Sequence, residues 1–310
     1  MKTFNSIFDF QNNKKSVLTL GTFDGVHIGH QKILKKLIKE AKSLNFESVL
    51  LTFFPHPRMV LKQDEKIQLL NTIVEKTKLI EDIGVDNLII HPFDTTFSEL
   101  SAEDFVKKIL IDQLNLGKII IGYDHKFGKN RSADINDLIK LGKKYDFEVE
   151  QISAKEIDDI SISSTKIRKA LLEGNIELAN NYLGHNYSLL GTIVEGRKNG
   201  RTINYPTANL KIEEDYKLVP KNGVYIVSSV FENKTVYGMM NIGKNPTVDG
   251  VSDSIEIHYF DFNEELYNKK VSVNLLSRIR DEQKFESLQL LKNQLDLDKE
   301  YSKNYILKNE

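Results

Sequence analysis

The sequence predicts an α/β domain with a parallel sheet, followed by a small antiparallel β-barrel or sandwich with a terminal helix. Three observations carry that expectation. Strands and helices alternate over residues 1–184. The helical period is then lost, and short strand-like segments separated by turn clusters take over. Finally, 310 residues exceed what one core usually organises.

The elements follow in order. Val17–Thr22 is a short apolar run ending at Gly21 and leads into a segment with Ile33, Leu34, Leu37, Ile38, Ala41 and Leu44 on one helical face, lysines opposite. A helix is expected to begin at about His30. Val49–Phe53, Asn87–Ile90, Lys118–Ile121 and Phe147–Ile152 read as buried strands. Between them lie a helical pattern around Leu69–Ile83, stopped by Gly84, and one opened by Ser101 with Asp104 in a capping-box arrangement. Such alternation implies a sheet covered on both faces, with ligands beyond the carboxyl ends of its strands. After Gly184 come Ser188–Glu195, Val224–Phe231, Thr235–Met240, Ser254–Phe260 and Lys270–Ile279, then a helical pattern from Ser287 with Leu288, Leu291 and Leu295 in register. The boundary is expected near 184–186, giving domains 1–184 and 185–310.

Composition narrows the function classes. Lys+Arg 43 against Asp+Glu 44 give a net charge of −1, without the basic excess of a general nucleic-acid binder. Apolar runs such as SVLLTFF fall far short of the roughly 20 residues that span a bilayer. The N-terminal segment MKTFNSIFDFQNNKK lacks the apolar core of a signal peptide. With no cysteine there is no disulfide, thiol nucleophile, iron–sulfur cluster or Cys-ligated zinc. The expectation is a cytoplasmic protein with neither nucleic-acid nor membrane partners, its oligomeric state left open.

The first chemical constellation is GTFDGVHIGHQKIL. Gly21, Gly25 and Gly29 allow a tight turn before a helix, whose N-terminus offers free N–H groups and partial positive charge to a phosphate. His27 and His30 could donate to the same anion. Zinc is a weaker option, since no third ligand is evident and the spacing is not HExxH. The string resembles the HxGH signature of nucleotidylyltransferases, and the longer GxFDGxHxGH form resembles FAD synthetases. TFFPHPR at 52–58 and ISSTKIRKAL at 162–171 fit the same family. The resemblance implies a Rossmann-like domain that binds ATP through Gly21, Phe23, Gly25, His27, His30, Ser163, Ser164, Thr165 and Arg168. In it a flavin phosphate oxygen attacks the α-phosphorus of ATP, with His27 and His30 facing the α/β-phosphates and Arg168 the leaving pyrophosphate. GYDHKFG at 122–128 matches the flavin-side pattern G-x-[DN]-F-x-F-G, Asp124 keeping its place while His125 replaces the common phenylalanine.

The second constellation is GRKNGRTINYPTANL with SIEIHYF. No G-x-x-x-x-G-K-[ST] occurs in it, so a kinase here is not a P-loop kinase. In an extended segment Thr207 and Asn209 point to one face, and a hydroxyl with an amide oxygen can complete the coordination of Mg²⁺ held mainly by phosphates and water. Alternation likewise puts Glu256, His258 and Phe260 on one face and Ile255, Ile257 and Tyr259 on the other; by spacing alone Glu256 is a solvated residue. PTAN after a Gly-Arg loop resembles the riboflavin kinase signature, and LLGTIVEG, NGVYIV, NIGKNPTV and IRDEQKFES follow in that family's order. The resemblance makes Thr207 and Asn209 the metal ligands and Glu256 the general base for the riboflavin 5′-hydroxyl. It places Arg280 near the flavin, and Gly196 and Gly200 around the loop that closes over ATP. Asn204–Tyr205 stands where that family commonly has Gly-Phe.

Together the motifs resemble bifunctional riboflavin kinase/FMN adenylyltransferases. They imply ATP as co-substrate, Mg²⁺ as cofactor, and riboflavin, FMN and FAD as the flavins handled. A chain retaining one activity, or an inactive flavin-binding regulator, remains an alternative at this stage.

Overall fold

The computed structural model describes residues 1–61, 67–122, 126–152, 162–196, 204–247 and 250–309. The chain forms two compact units, Met1–Ser163 and Ser164–Glu310.

In the first unit, strands β1 (Lys2–Phe4), β2 (Ser16–Leu20), β3 (Glu47–Phe53), β4 (Asn87–His91), β5 (Leu116–Gly122) and β6 (Glu148–Ile152) pair in the order β1-β4-β3-β2-β5-β6. Every pairing is parallel. The period of two splits the apolar strand residues between two cores. Leu18, Leu20, Val49, Leu51, Ile119 and Ile121 enter one, and Val17, Leu50, Leu88 and Ile120 the other. Helix α1 (Ile28–Leu44) lays Ile33, Leu34, Leu37 and Ala41 on the second core. The helix starts two residues earlier than expected because His27 caps it, its Nδ1 accepting the His30 N–H at 3.4 Å.

Helices α2 (Pro57–Leu61) and α3 (Ile73–Ile83) follow β3. The latter opens with a full Thr72–Glu75 capping box and stops at Gly84 in the left-handed region. Helices α4 (Thr95–Ser98) and α5 (Ala102–Asp104) lead into a π-helical stretch, Phe105–Ile111. At Ser101 only half of the expected capping box forms. Its hydroxyl accepts the Asp104 N–H, but the short Asp104 carboxylate takes the Ser101 hydroxyl proton instead of reaching the Ser101 backbone. Helix α6 (Ile135–Tyr145) precedes β6. From β2 the chain moves outward through β3 and β4, then returns to place β5 and β6 on the other side. The strand order thus reverses between β2 and β5, which puts a ligand crevice at the carboxyl ends of those two strands.

The second unit begins with α7 (Ser164–Glu173) and α8 (Ile176–Leu183). Strands β7 (Tyr187–Val194), β8 (Ala208–Lys211), β9 (Gly223–Phe231), β10 (Lys234–Thr247), β11 (Gly250–Tyr259) and β12 (Lys270–Arg280) close an antiparallel barrel in the order β10-β11-β8-β7-β12-β9. Alternate residues fill it, among them Leu189 and Ile193, Ile255 and Ile257, and Val273 and Leu275. Helix α8 is hydrogen-bonded to this wall. Asn180 donates to the Leu275 carbonyl at 2.9 Å and accepts the Tyr187 N–H at 2.7 Å, while Ser277 donates to Glu177. The boundary between the compact units therefore falls at Ser163/Ser164, whereas the change from helical to strand pattern falls between α8 and β7.

Helix α9 (Leu288–Asn309) covers part of the outer barrel wall, packing Leu295 and Ile306 against a cluster of Tyr205, Met239 and Phe260. Among the described residues, no helix is long and apolar enough to cross a membrane.

Candidate active sites

In the first unit, the segment after β2 is a turn with its backbone held in an unusual state. Phe23 (φ 46°), Gly25 (φ 88°) and Val26 (φ 40°) all lie in the left-handed region. Glycine adopts it freely, but a bulky or β-branched residue there costs about 1–3 kcal/mol and persists only where neighbours enforce it. The neighbours are explicit. The buried Asp24 carboxylate accepts the N–H groups of Leu70 (2.9 Å) and Asn71 (3.4 Å). The Thr22 carbonyl accepts from Lys76 Nζ at 2.8 Å and Thr52 Oγ1 at 3.3 Å, and Gln31 donates to the Val26 carbonyl at 2.9 Å.

The turn delivers His27 and His30 to the start of α1, their rings stacked 3.6 Å apart and 18° from parallel. Burial pushes His27 down to about 4. His30 is held well below the usual histidine range by burial first, then by the nearby charges of His27 and Lys76. Both imidazoles are therefore neutral at pH 7. Because His27 Nδ1 accepts a backbone N–H, its proton sits on Nε2, making that nitrogen a donor. His30 Nδ1 is buried and has no hydrogen-bond partner among the described residues.

Gly21 directly follows β2, and Phe23 packs its ring 4.8 Å from His30. Ser163 precedes α7 and Ser164 opens it, with Thr165 exposed in the first turn and Arg168 half-buried. Asp124 lies outside the described residues, as does His125.

In the second unit, strand register assembles the other constellation. Glu256 on β11 stands opposite Asn209 on β8 and opposite Asn241 on β10. Thr207 Oγ1 donates to Glu256 Oε2 at 3.2 Å, and Ser254 Oγ donates to Oε1 at 3.3 Å. Gly196 is pressed against Asn209: a Cβ there would lie 2.0 Å from Asn209 Nδ2. Gly200 lies outside the described residues.

The face carrying Glu256 is not the solvated one its alternation suggests. His258 and Phe260, two and four residues on, are buried, because α9 covers that side of the wall. His258 Nδ1 lies 2.9 Å from the Pro206 carbonyl, its ring 4.9 Å from that of Tyr205, and the Tyr205 hydroxyl donates to Asp296 of α9. These contacts hold the strand entry that carries Thr207.

Arg280, expected beside the flavin, makes a two-pronged pair with the buried Asp298 of α9, with Nε at 3.0 and 3.1 Å from its oxygens and Nη2 at 2.7 Å. A cavity of about 450 Å³ opens beside Thr207, lined by Pro206, Ala208, Ile257, Tyr259, Phe262 and Leu266 among others. Among the described residues, no group of three or more His, Asp or Glu side chains is placed to hold a metal ion.

Comparison with known proteins follows the same division. Residues 9–166 match the FAD synthetase family and residues 183–306 the riboflavin kinase family. A bifunctional riboflavin kinase/FMN adenylyltransferase of Buchnera aphidicola (from Schizaphis graminum) is 41% identical over 98% of this chain and 99% of its own length. The chain belongs to this bifunctional family. Relatives of the same description from Listeria monocytogenes (37% identical, 95% of this chain, 93% of theirs) and Escherichia coli K12 (35%, 91% and 90%) extend over both parts. A crystal structure described as a macrolide-efflux protein from Streptococcus pneumoniae shares the fold, with TM-score 0.88, 34% identity and coverage of 97% of this chain and 98% of that one.

As a riboflavin kinase/FMN adenylyltransferase, the chain brings together His27 with His30, and Thr207 with Asn209 and Glu256. Asp24, Lys76, Ser254 and Asn241 were not singled out from the sequence, and Tyr205 only as a departure from the family's Gly-Phe. Asp24 sits inside the FDG string and Tyr205 next to PTAN, so proximity was a usable signal for those two. Lys76 reads as one of many helix lysines, and nothing local marks it.

Proposed function

We propose that residues 185–310 transfer the γ-phosphoryl group of ATP to riboflavin, giving FMN and ADP, and that residues 1–184 transfer the adenylyl group of a second ATP to FMN, giving FAD and pyrophosphate. The reading rests on one observation above all: the parallel-sheet unit brings His27 and His30 together, the barrel brings Glu256, Thr207 and Asn209 together, and the two sets suit different nucleophiles.

In the kinase step Glu256 accepts the proton of the riboflavin 5′-hydroxyl as that oxygen bonds to the γ-phosphorus and the bond to ADP breaks. Thr207 and Ser254 hold the carboxylate by one oxygen each, which fixes its direction. Gly196 keeps the backbone close to Asn209, beside the groups that face the nucleotide phosphates. The hydroxyl of Thr207, the amide oxygen of Asn209 and the Glu256 carboxylate are hard oxygen donors, a set that fits Mg²⁺; Thr207 and Asn209 would hold it. Bound there, Mg²⁺ supplies charge neutralisation for the phosphates. Arg280, tied to Asp298, orders the chain leading into α9 on the flavin side.

In the adenylyl step the FMN phosphate is already ionised near neutral pH, so no base is required. Its oxygen bonds to the α-phosphorus and pyrophosphate leaves. His27 and His30, neutral and stacked at the α1 N-terminus, donate to the α/β-phosphates. Gly21, Phe23 and Gly25 shape the approach. Ser163, Ser164, Thr165 and Arg168 engage the β/γ-phosphates, and Asp124 the flavin. Both steps belong to the cytoplasm, where ATP is supplied. The test is incubation of the chain with riboflavin, ATP and Mg²⁺ and chromatographic separation of riboflavin, FMN and FAD. Riboflavin should be converted to FMN and onward to FAD; riboflavin left unconverted removes the kinase half of the reading, and FMN supplied directly that yields no FAD removes the other half.

A further inference from the structure

A buried cation, Lys76, takes part in neither proposed reaction. Lys76, on α3, is 4% exposed, and its ammonium donates to the Thr22 carbonyl at 2.8 Å. An ammonium carries three donors, and in the interior a charge so sparsely satisfied is costly unless an anion or a fixed dipole answers it. The acid nearest it in effect is Asp24, whose carboxylate is committed to the Leu70 and Asn71 N–H groups. Lys76 and Asp24 thus tie α3 and the turn in the same sense, the turn accepting from the helix at the Thr22 carbonyl and from the segment before the helix at the Asp24 carboxylate. Their attachment point is rigid, because the Thr72–Glu75 capping box fixes the first turn of α3 immediately before Lys76.

We propose that Lys76 is a positioning residue for adenylyl transfer, holding the Thr22 carbonyl inward so that the strained Phe23–Val26 turn presents His27, His30 and the α1 N-terminus outward, and supplying the fixed positive charge behind that pair. The inference rests on the assignment of adenylyl transfer to His27 and His30. Three features support it. Two non-glycine residues of the turn lie at positive φ, which needs external restraint, and Lys76 is one of the few groups that provide it. The ammonium is near enough to His30 to oppose its protonation, which keeps that imidazole a neutral donor. Burial also pulls Lys76 itself down to about 8, so at pH 7 it is still mostly charged. The titratable groups facing His30 among the described residues are His27 on its own helix, Lys76 on α3 and, through Lys76, Asp24 on the turn.

The test uses the full chain carrying Lys76→Met or Lys76→Arg, with FMN-to-FAD conversion followed from pH 5 to 9 and riboflavin phosphorylation as internal control. Lys76→Met should lower kcat for FAD formation at least about tenfold and leave phosphorylation unchanged. It should also shift the acid limb of the FAD-forming profile to higher pH, because His30 loses a like charge; imidazole titration by NMR in the ligand-free protein should move the same way. Lys76→Arg should recover the acid limb even where geometry costs rate. Wild-type rate and profile in Lys76→Met overturn the proposal, as does a rate loss with an unmoved acid limb and unmoved imidazole titration, which is what a purely structural lysine would give. His27→Ala and His30→Ala separate the two levels of argument. If they retain FAD formation, the assignment of the site fails; if they lose it while Lys76→Met does not, only the role of Lys76 fails.

Discussion

The two sites solve opposite problems with charge. In the first unit the proposed site holds two neutral imidazoles and a helix N-terminus, with a buried carboxylate, Asp24, that accepts backbone N–H groups. In the barrel the proposed central group is a carboxylate, Glu256, met by the hydroxyls of Thr207 and Ser254 and faced by two amide-bearing residues, Asn209 and Asn241, on neighbouring strands. The difference tracks the nucleophile. A phosphate oxygen arrives ionised and needs only donors for the charge that develops on its partner, whereas a ribityl hydroxyl must lose a proton to something basic. A shared substrate, ATP, thus does not impose a shared site.

The largest expected effect that could break this contrast is Glu256→Gln. The amide keeps the shape and can still meet Thr207, but cannot take the proton. Riboflavin phosphorylation should fall about 10²–10⁴-fold. FMN added directly should still become FAD. A variant that phosphorylates riboflavin at the wild-type rate would remove the base from the barrel and, with it, the chemical reason for the contrast.

Next in size is loss of a donor from the other site. His27→Ala or His30→Ala should cost about 2.7–4 kcal/mol of transition-state stabilisation in FAD formation, the usual magnitude for removing one donor to developing charge. FMN formation should be untouched. Steady-state rates for the two half-reactions, measured on the same preparation, decide it; a parallel fall in both would mean that the units do not act separately.

How much of this contrast was legible before the structure differs between the two sites. Local signals sufficed for the imidazole pair, because glycines, histidines and a helix face are contiguous from Gly21 to Leu37. The parallel strands were equally plain, since burial on both faces makes them continuous apolar runs. β1 was not: three residues on a sheet edge carry no pattern long enough to read. In the barrel, alternation put Glu256 with His258 and Phe260 correctly, but their shared face read as solvent-facing. What hides it is α9, some 30 residues further along the chain, and no local pattern reports a cover that arrives from that distance. Lys76 was illegible for the same reason. Its meaning comes from a carbonyl 54 residues away.

A buried ion pair anchors the terminal helix of the barrel unit. Arg280 and Asp298 pin α9 to the end of β12, and Asp298 is 2% exposed. Arg280→Ala leaves that carboxylate buried with Gln294 as its remaining side-chain donor. Breaking such a pair from one side costs about 3–5 kcal/mol, discounted here because the guanidinium is partly exposed. Thermal unfolding should show the barrel transition moving down while the other unit holds. Phosphorylation should suffer through a loosened α9, and FAD formation from added FMN should not. Unchanged amide exchange in α9 would deny that this pair holds the helix.

The smallest effect expected is one of pH, and it belongs to the first unit. His27 is depressed from its ordinary 6.5 to about 4 by burial. Between those values the unfolded chain binds the proton and the folded one does not, so stability rises with pH across that window. The contribution is complete above about pH 6.5 and is lost progressively as pH falls toward 4, up to about 3 kcal/mol for a shift of this size. Replacing His27 by Gln removes the titrating group and should flatten the acid slope without changing the basic side. The check is amide exchange of α1 between pH 4 and 7, in wild type and His27→Gln, after correction for the intrinsic pH dependence of exchange. Wild-type protection should fall on the acid side and the variant's should fall less. Equal slopes would mean that His27 is protonated as easily folded as unfolded, and the neutral donor pair on which the contrast between the two sites depends would have to be given up.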